Sequence, residues 1–160
     1  MSESNAALTG TDDVTSPTRS TPRNGALNAY RWALLAFLAA GVVQIFLAGL
    51  GVFSLQDQGL VADGDSAFAP HRTLGYAMAG IAIVVLILAL IARAGARAIA
   101  GTVLLVLLTS LVQSLLAGLA DHHAIYGALH ALDGLLILSV AAYLYLSARG
   151  RAASSSAEGT

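Results

Sequence analysis

Residues 32–56, WALLAFLAAGVVQIFLAGLGVFSLQ, contain no charged side chain. A run of this length exceeds the roughly 20 residues that an α-helix needs to cross the hydrocarbon core of a bilayer. Three further apolar runs follow, at 73–92, 98–120 and, with two interruptions, 124–148. A helix satisfies its backbone hydrogen bonds internally, so four separate apolar runs predict four transmembrane helices.

The composition agrees with this prediction. Hydrophobic residues make up 57% of the 160-residue chain and charged residues 11%, with a mean hydropathy of +0.76. About a quarter of an average soluble chain is charged. We therefore expect an all-α fold, a four-transmembrane-helix bundle within residues 29–148. The expected segments are a disordered cytoplasmic tail at 1–28, helices at about 30–54, 69–92, 97–119 and 124–147, and a cytoplasmic tail at 149–160.

The arginines predict the orientation of the bundle. Seven of the eight positively charged residues precede the first span, lie between the second and third, or follow the fourth, and Arg72 is the exception. The positive-inside rule places that side, with the N and C termini, in the cytoplasm. We expect a multi-pass protein of a bacterial cytoplasmic (inner or plasma) membrane.

Several functional classes have no support in the sequence. The chain has no cysteine, which excludes disulfides and covalent haem attachment through C-x-x-C-H. It has no basic patch interleaved with aromatic residues, so we expect no nucleic-acid partner. No spacing indicates a nucleophile, a base and an orienting group, and the sequence does not predict an independent enzyme.

An eight-residue motif occurs twice. VQIFLAGL at 43–50 returns as VQSLLAGL at 112–119, with a glutamine at the second position of each. Each copy is followed by a loop and an H-x-x-x-G motif, HRTLG at 71–75 and HALDG at 130–134. The pattern predicts two repeated helical hairpins, related by a pseudo-twofold axis along the membrane normal.

This symmetry places His71 and His130 on opposite helices, facing each other in the outer half of the bundle. Polar residues inside a membrane are usually functional. Two imidazoles that reach inward from facing helices suit the iron of a haem b. Gly75 and Gly134 lie four residues later on the same helix faces and would leave room for a macrocycle. Close helix packing is the alternative explanation of these glycines.

Other polar residues surround the histidines. Arg72 could pair with a haem propionate or be an ordinary snorkelling arginine. Gln44 and Gln113 could bond propionates, a substrate headgroup or each other across the bundle. Asp133, one turn from His130, could orient a ligand or pass protons, and it could equally stay protonated or snorkel outward.

A second pair of histidines lies in the outer loop. His122 and His123, next to Asp121, resemble a surface metal patch. Adjacent residues point in different directions on a helix. We therefore interpret them as loop residues.

At these residues the chain resembles one four-helix half of a haem A synthase, over about residues 30–147. In that family a histidine pair on the second and fourth helices of each half holds haem near the outer face. The resemblance thus implies that His71 and His130 are axial ligands. The layout is also similar to small bacterial four-helix membrane proteins that carry a domain of unknown function. Phe68 stands where the synthases have a glutamate, their outer-loop cysteine pair is absent and there is one half only, so the resemblance implies haem binding rather than haem A synthesis.

Three hypotheses of function remain open. The leading one is a membrane protein that binds haem b for electron transfer or haem-linked chemistry, with the lipid bilayer around it and a redox or membrane-protein partner. The second is a non-haem structural or accessory protein whose His and Gln pairs are interhelical hydrogen bonds. The third is a small transporter subunit, although the spans lack the broken helices of transporters. Two copies could form a homodimer that imitates the eight-helix synthase.

Overall fold

The computed structural model describes residues 22–57 and 64–157 of the chain. Within these residues every regular element is a helix. The α-helices are α1 (Pro22–Asp57), α2 (Gly64–Ala67), α3 (Ala69–Ile91), α4 (Ala96–Val106), α5 (Gln113–Ala120) and α6 (Ala124–Ala157). A π-helical segment, Leu107–Val112, joins α4 to α5.

Four helical segments of the described ranges are long and apolar enough to cross a membrane. They are Pro22–Leu55, Ala69–Ile91, Ala96–Ala120 and Ala124–Gly150. The prediction of an all-α protein with four potential spans is therefore confirmed. These spans fit a multi-pass membrane protein.

Two helices extend further than the sequence pattern indicated. α1 begins at Pro22, so residues 22–28, which we expected in the disordered tail, are helical; proline is well tolerated in the first turn of a helix. α6 continues past position 147 to Ala157, because alanine and arginine favour helix without apolar burial. The rest of the expected N-terminal tail, residues 1–21, lies outside the described residues, as do 58–63 and 158–160.

The helices form a four-membered bundle in which α3 and α6 lie diagonally across from each other. α1 packs against α3 and α6, and α4 also packs against α3 and α6. Buried residues recur at intervals of four and three residues, and many of them are small. This spacing is typical of left-handed helix packing in membranes. The repeating positions include Tyr30, Leu34 and Phe37 on α1, Ala82, Val85 and Ala89 on α3, and Ala141, Leu144 and Ala148 on α6.

Glycines allow α6 to approach its neighbours closely. A Cβ at Gly41 of α1 would overlap the side chain of Leu138, and a Cβ at Gly101 of α4 would lie 2.9 Å from Cδ2 of Leu144. Hydrogen replaces a methyl group at both positions, so the α6 leucines fit against the neighbouring backbones.

The outer surface of the bundle is apolar. Phe46, Leu111 and Leu146 are each more than 60% exposed. A soluble monomer rarely exposes a continuous surface of large apolar side chains. In a membrane protein the lipid chains cover such a surface.

One tight turn connects α3 to α4. Gly95 adopts a φ of 91°, a conformation that glycine adopts without steric cost, and Arg93 has a φ of 48°. Arg23 of α1 donates from Nε to the carbonyl oxygen of Ala92 at 3.3 Å. This bond satisfies one of the carbonyls that the end of α3 leaves without an intrahelical partner.

The π-helical segment interrupts the third span just before Gln113. A π turn inserts a residue into an α-helix and rotates the following residues about the helix axis, and such bulges are frequent at functional sites. The sequence pattern did not predict it. Thr109 within it donates its hydroxyl to the carbonyl of Leu105 at 2.7 Å, a bond that locally competes with the backbone ladder.

Candidate functional site: two histidine–glutamine pairs

The first pair joins α1 to the start of α3. Pro70 stands in the first turn of α3, which places His71 near the helix N-terminus and opposite Gln44. The Gln44 amide donates from Nε2 to the carbonyl oxygen of His71 at 2.8 Å. In return, Nδ1 of His71 lies 3.2 Å from the carbonyl oxygen of Gln44. The same amide nitrogen is 3.4 Å from Nε2 of His71.

The second pair joins α5 to α6 in the same way. Nε2 of Gln113 donates to the carbonyl oxygen of His130 at 3.2 Å. Nδ1 of His130 lies 3.2 Å from the carbonyl oxygen of Gln113. Each glutamine therefore bonds the histidine in the first turns of the next span.

These bonds select one tautomer of each ring. A carbonyl oxygen only accepts hydrogen bonds, so the Nδ1 atoms of His71 and His130 must carry the proton and donate. In the neutral imidazole Nε2 is then the acceptor atom, and at His71 the Gln44 amide nitrogen lies 3.4 Å from it. The Nε2 atom is thus the one through which each ring can bind a metal ion or accept a proton, and at His71 such a ligand would replace the contact with the Gln44 amide.

The two rings meet across the diagonal of the bundle. The ring centres of His71 and His130 are 6.0 Å apart, with 59° between the ring planes. The ring of Phe68 packs edge-on against His71 at 6.3 Å between centres. The structure thus brings together histidines that are 59 positions apart in the sequence.

The space left by the two glycines is occupied by glutamine. A Cβ added to Gly75 would lie 3.3 Å from Nε2 of Gln44, and one added to Gly134 would lie 3.3 Å from Nε2 of Gln113. The interpretation from sequence gave this room to a macrocycle. In the structure each glycine lets the glutamine amide reach the backbone of the histidine helix.

Three polar atoms near the pairs are buried without a hydrogen-bond partner among the described residues. They are Oε1 of Gln44, Oε1 of Gln113 and Oδ2 of Asp133. Asp133 is 7% exposed and borders an open groove of about 510 Å³ that is otherwise lined mainly by leucines of α5 and α6. All three are acceptors when the carboxyl is ionised, so the site can take up hydrogen-bond donors.

The other residues of interest lie at the periphery. The side chain of Arg72 is exposed and follows His71 on α3. His122 and His123 are exposed in the turn before α6, and the ring of His123 packs against Tyr126 at 6.1 Å between centres. Within residues 22–57 and 64–157, no three His, Cys, Asp or Glu side chains form a group that could hold a metal ion.

Phe68 is a site residue that sequence reasoning did not select. Besides contacting His71, its ring fills the space beside Gly51, where a Cβ would lie 2.7 Å from the ring. It therefore covers the first pair from the loop side. In the sequence, Phe68 is distinguished only by its position three residues before His71, where the haem A synthases have a glutamate.

Comparison with known proteins covers part of this site. Residues 44–121 match a family of unknown function, DUF6220. The matched segment is slightly less than half of the chain; it begins at Gln44 and includes His71, Gly75 and Gln113, whereas His130 lies beyond it. No curated protein and no solved structure matches the chain. The comparisons provide no link to the haem A synthases, and they agree with the resemblance to a domain of unknown function.

Proposed function

We propose that this membrane protein binds haem b, with His71 and His130 as the two axial ligands. The observation that carries the proposal is the separation of 6.0 Å between the two ring centres. Metal–imidazole bonds are about 2 Å long, so two rings on opposite sides of one metal ion have their centres about 6 Å apart. The facing diagonal helices supply this distance from side chains in the bundle interior.

The hydrogen bonds at Nδ1 support the same proposal. Histidines that bind metals generally donate their other ring N–H to a backbone carbonyl or a carboxylate, which fixes the tautomer and the ring orientation. His71 and His130 both make this bond, to Gln44 and Gln113. The Nδ1 contact that a ligand histidine generally makes is therefore made by both rings.

The glutamines would then border the macrocycle in place of the glycines. Their Nε2 atoms fill the space beside Gly75 and Gly134, and their Oε1 atoms have no partner among the described residues. These oxygens would accept hydrogen bonds from a protonated propionate or from water. Arg72, exposed next to His71, is the candidate partner of an ionised propionate.

A bound haem would supply a one-electron redox centre. The chain itself would hold the iron with both His71 and His130, an arrangement suited to electron transfer rather than to substrate binding at the metal. We also infer that the two hairpins are structural repeats, because the same three glutamine, histidine and glycine contacts occur in each. The arginine distribution supports cytoplasmic termini, and we propose that the protein lies in a bacterial cytoplasmic membrane.

The test is a visible spectrum of protein purified in mild detergent from haem-supplemented cells. We expect a Soret band, and sharp α and β bands after reduction. His71→Ala and His130→Ala should each remove the six-coordinate spectrum. His122→Ala and His123→Ala are matched controls and should leave it unchanged, because both side chains lie outside the bundle.

A colourless, monodisperse wild-type protein would overturn the proposal. Equal spectral losses in the control variants would do the same, because they would place the haem elsewhere.

The second candidate is a structural or accessory role without haem. It is favoured by the hydrogen bonds that already join each glutamine to its histidine, since such bonds stabilise helix pairs in membranes. In this case the protein is colourless, and His71→Ala lowers its resistance to unfolding to the same extent with and without added haem. The spectrum and the unfolding experiment together distinguish the two candidates.

A further inference from the structure

A small cavity lies between α1 and α6, at the end of the bundle that carries Arg23, Arg93, Arg97 and Arg149. Its volume is about 90 Å³. On α1 Arg31 lies 13 residues before Gln44, and on α6 Tyr145 lies 15 residues after His130, so the cavity is independent of the proposed haem site. We name it the Arg31 cavity; its lining residues are Asn28, Arg31, Trp32 and Leu35 of α1 and Tyr145 of α6.

Arg31 has an unsatisfied donor at this cavity. Its Nε is buried and has no hydrogen-bond partner among the described residues. A guanidinium is always charged and carries only donors. Burial of such a donor without an acceptor is costly, so the position calls for an anionic or strongly accepting group.

The neighbouring polar groups also favour an anionic or hydrogen-bond-accepting ligand. The guanidinium of Arg149 lies 5.8 Å from the ring centre of Tyr145, which places a second positive charge beside the cavity. Asn28 adds an amide N–H donor and Tyr145 a phenol O–H donor. One guanidinium group and two neutral donors line the space, and the Arg149 charge lies beside Tyr145; this set of donors matches the oxygens of a phosphate.

The surroundings indicate that the phosphate belongs to a lipid. Trp32 is 63% exposed on the outer surface of α1, and exposed tryptophans at the ends of spans lie at the level of the lipid headgroups. Leu35 continues the surface towards the membrane interior. A ligand here would place its charge at the arginines and its chains along the apolar face of α1.

We propose that the Arg31 cavity binds the phosphate group of an anionic phospholipid. Basic pockets between transmembrane helices recognise anionic headgroups by this combination of charge and position. The lipid contacts α1 and α6, so it also joins the first and last spans of the bundle.

The experiment is native mass spectrometry of the full chain in mild detergent, titrated with phosphatidylglycerol or with phosphatidylcholine of the same acyl chains. We expect saturable binding of phosphatidylglycerol by the wild type and weaker binding of phosphatidylcholine. Arg31→Gln removes a charge-assisted hydrogen bond and should weaken phosphatidylglycerol binding about tenfold. Arg97→Gln is the matched control; it changes the charge equally at the same end, from an exposed position outside the cavity.

Three results would overturn the proposal. Equal losses in Arg31→Gln and Arg97→Gln would mean that net charge, not the cavity, attracts the lipid. Equal binding of both lipids would exclude recognition of the headgroup charge. If inorganic phosphate at the same concentration displaces the lipid completely, the site recognises the free anion. Should Arg31→Gln fail to fold, Tyr145→Phe supplies the second variant, with a smaller loss of phosphatidylglycerol affinity expected.

Discussion

The side chains of Gln44 and His71 each bond the main chain of the other residue. The Gln44 side-chain amide donates to the His71 carbonyl oxygen at 2.8 Å, and Nδ1 of His71 lies 3.2 Å from the Gln44 carbonyl oxygen. Gln113 and His130 make the corresponding two contacts. Each pair thus couples a membrane span to the next span along the chain and also fixes a histidine ring between them. The repeated glutamine is explained by this double role.

Replacing Gln44 with leucine should destabilise the bundle modestly. Interhelical hydrogen bonds in membrane proteins contribute about 0.6 kcal/mol on average and about 1.7 at most, and the Gln44 bond to the His71 carbonyl is short. We expect the free energy of unfolding, measured by a reversible unfolding titration in mixed micelles, to fall by an amount in this range. Ser114→Ala, at an exposed position near Gln113, is the control for a polar group outside the pairs. An unchanged midpoint for Gln44→Leu would show that the bond does not stabilise the fold.

Alanine at Gly75 or Gly134 should be unfavourable, although alanine favours helix. The added methyl would press on the glutamine amide at 3.3 Å, and moderate overpacking costs about 1 kcal/mol or more. Gly80→Ala in the same helix is a matched control, because nothing lies within 4 Å of its added Cβ. The control should be stabilised by up to about 1 kcal/mol through helix propensity. Equal gains at Gly75 and Gly80 would contradict the packing described for the pair.

Gly41→Ala tests the contact between α1 and α6. Its Cβ would overlap Leu138, so the helices must separate or the leucine must change rotamer, at a cost of about 1–3 kcal/mol. Gly49→Ala on the same helix meets no neighbour within 4 Å and should not be destabilised. Thermal melting of the two variants in the same detergent measures the difference; similar melting temperatures would rule out a close approach of the helices at Gly41.

Asp133→Leu should stabilise the protein. Asp133 is 7% exposed, and its Oδ2 has no partner among the described residues. An aspartate at the centre of a span costs about 2.5–3.5 kcal/mol. We expect the free energy of unfolding of Asp133→Leu to rise by about 2 kcal/mol in the unfolding titration. Asp121→Leu, at the exposed turn, is the control and should change it by no more than about 0.5 kcal/mol. A loss of stability in Asp133→Leu would mean that the carboxyl binds a group held by the site.

Orientation can be tested with single cysteines, because the chain has none. Asp121 is exposed in the turn before α6 and Arg97 is exposed at the start of α4, at the opposite end of the bundle. The positive-inside rule predicts that a membrane-impermeant maleimide labels Asp121→Cys in intact cells and labels Arg97→Cys only after permeabilisation. The reverse pattern would invert the proposed topology.

Sequence and structure agree on the elements but differ on what several side chains do. Glutamines that could have bonded each other across the bundle bond a histidine of the next span instead, and the glycines provide room for those amides. A repeat in sequence shows that two positions are equivalent, but it does not say which atoms they contact. The π-helical segment before Gln113 and the cover formed by Phe68 also depend on tertiary packing, which leaves no periodic pattern.

By itself the sequence determined that the chain is helical and long enough to cross a membrane four times, because apolar runs in lipid can satisfy their backbone only as helices. It also determined which polar residues lie inside those runs. Only the tertiary structure decided that His71 and His130 meet at 6.0 Å, that both rings are held at Nδ1, and that Arg31 has a buried donor beside a cavity. The physical reason is that these properties depend on the relative rotation and approach of helices, which is set by packing of small residues between spans and not by hydropathy along one.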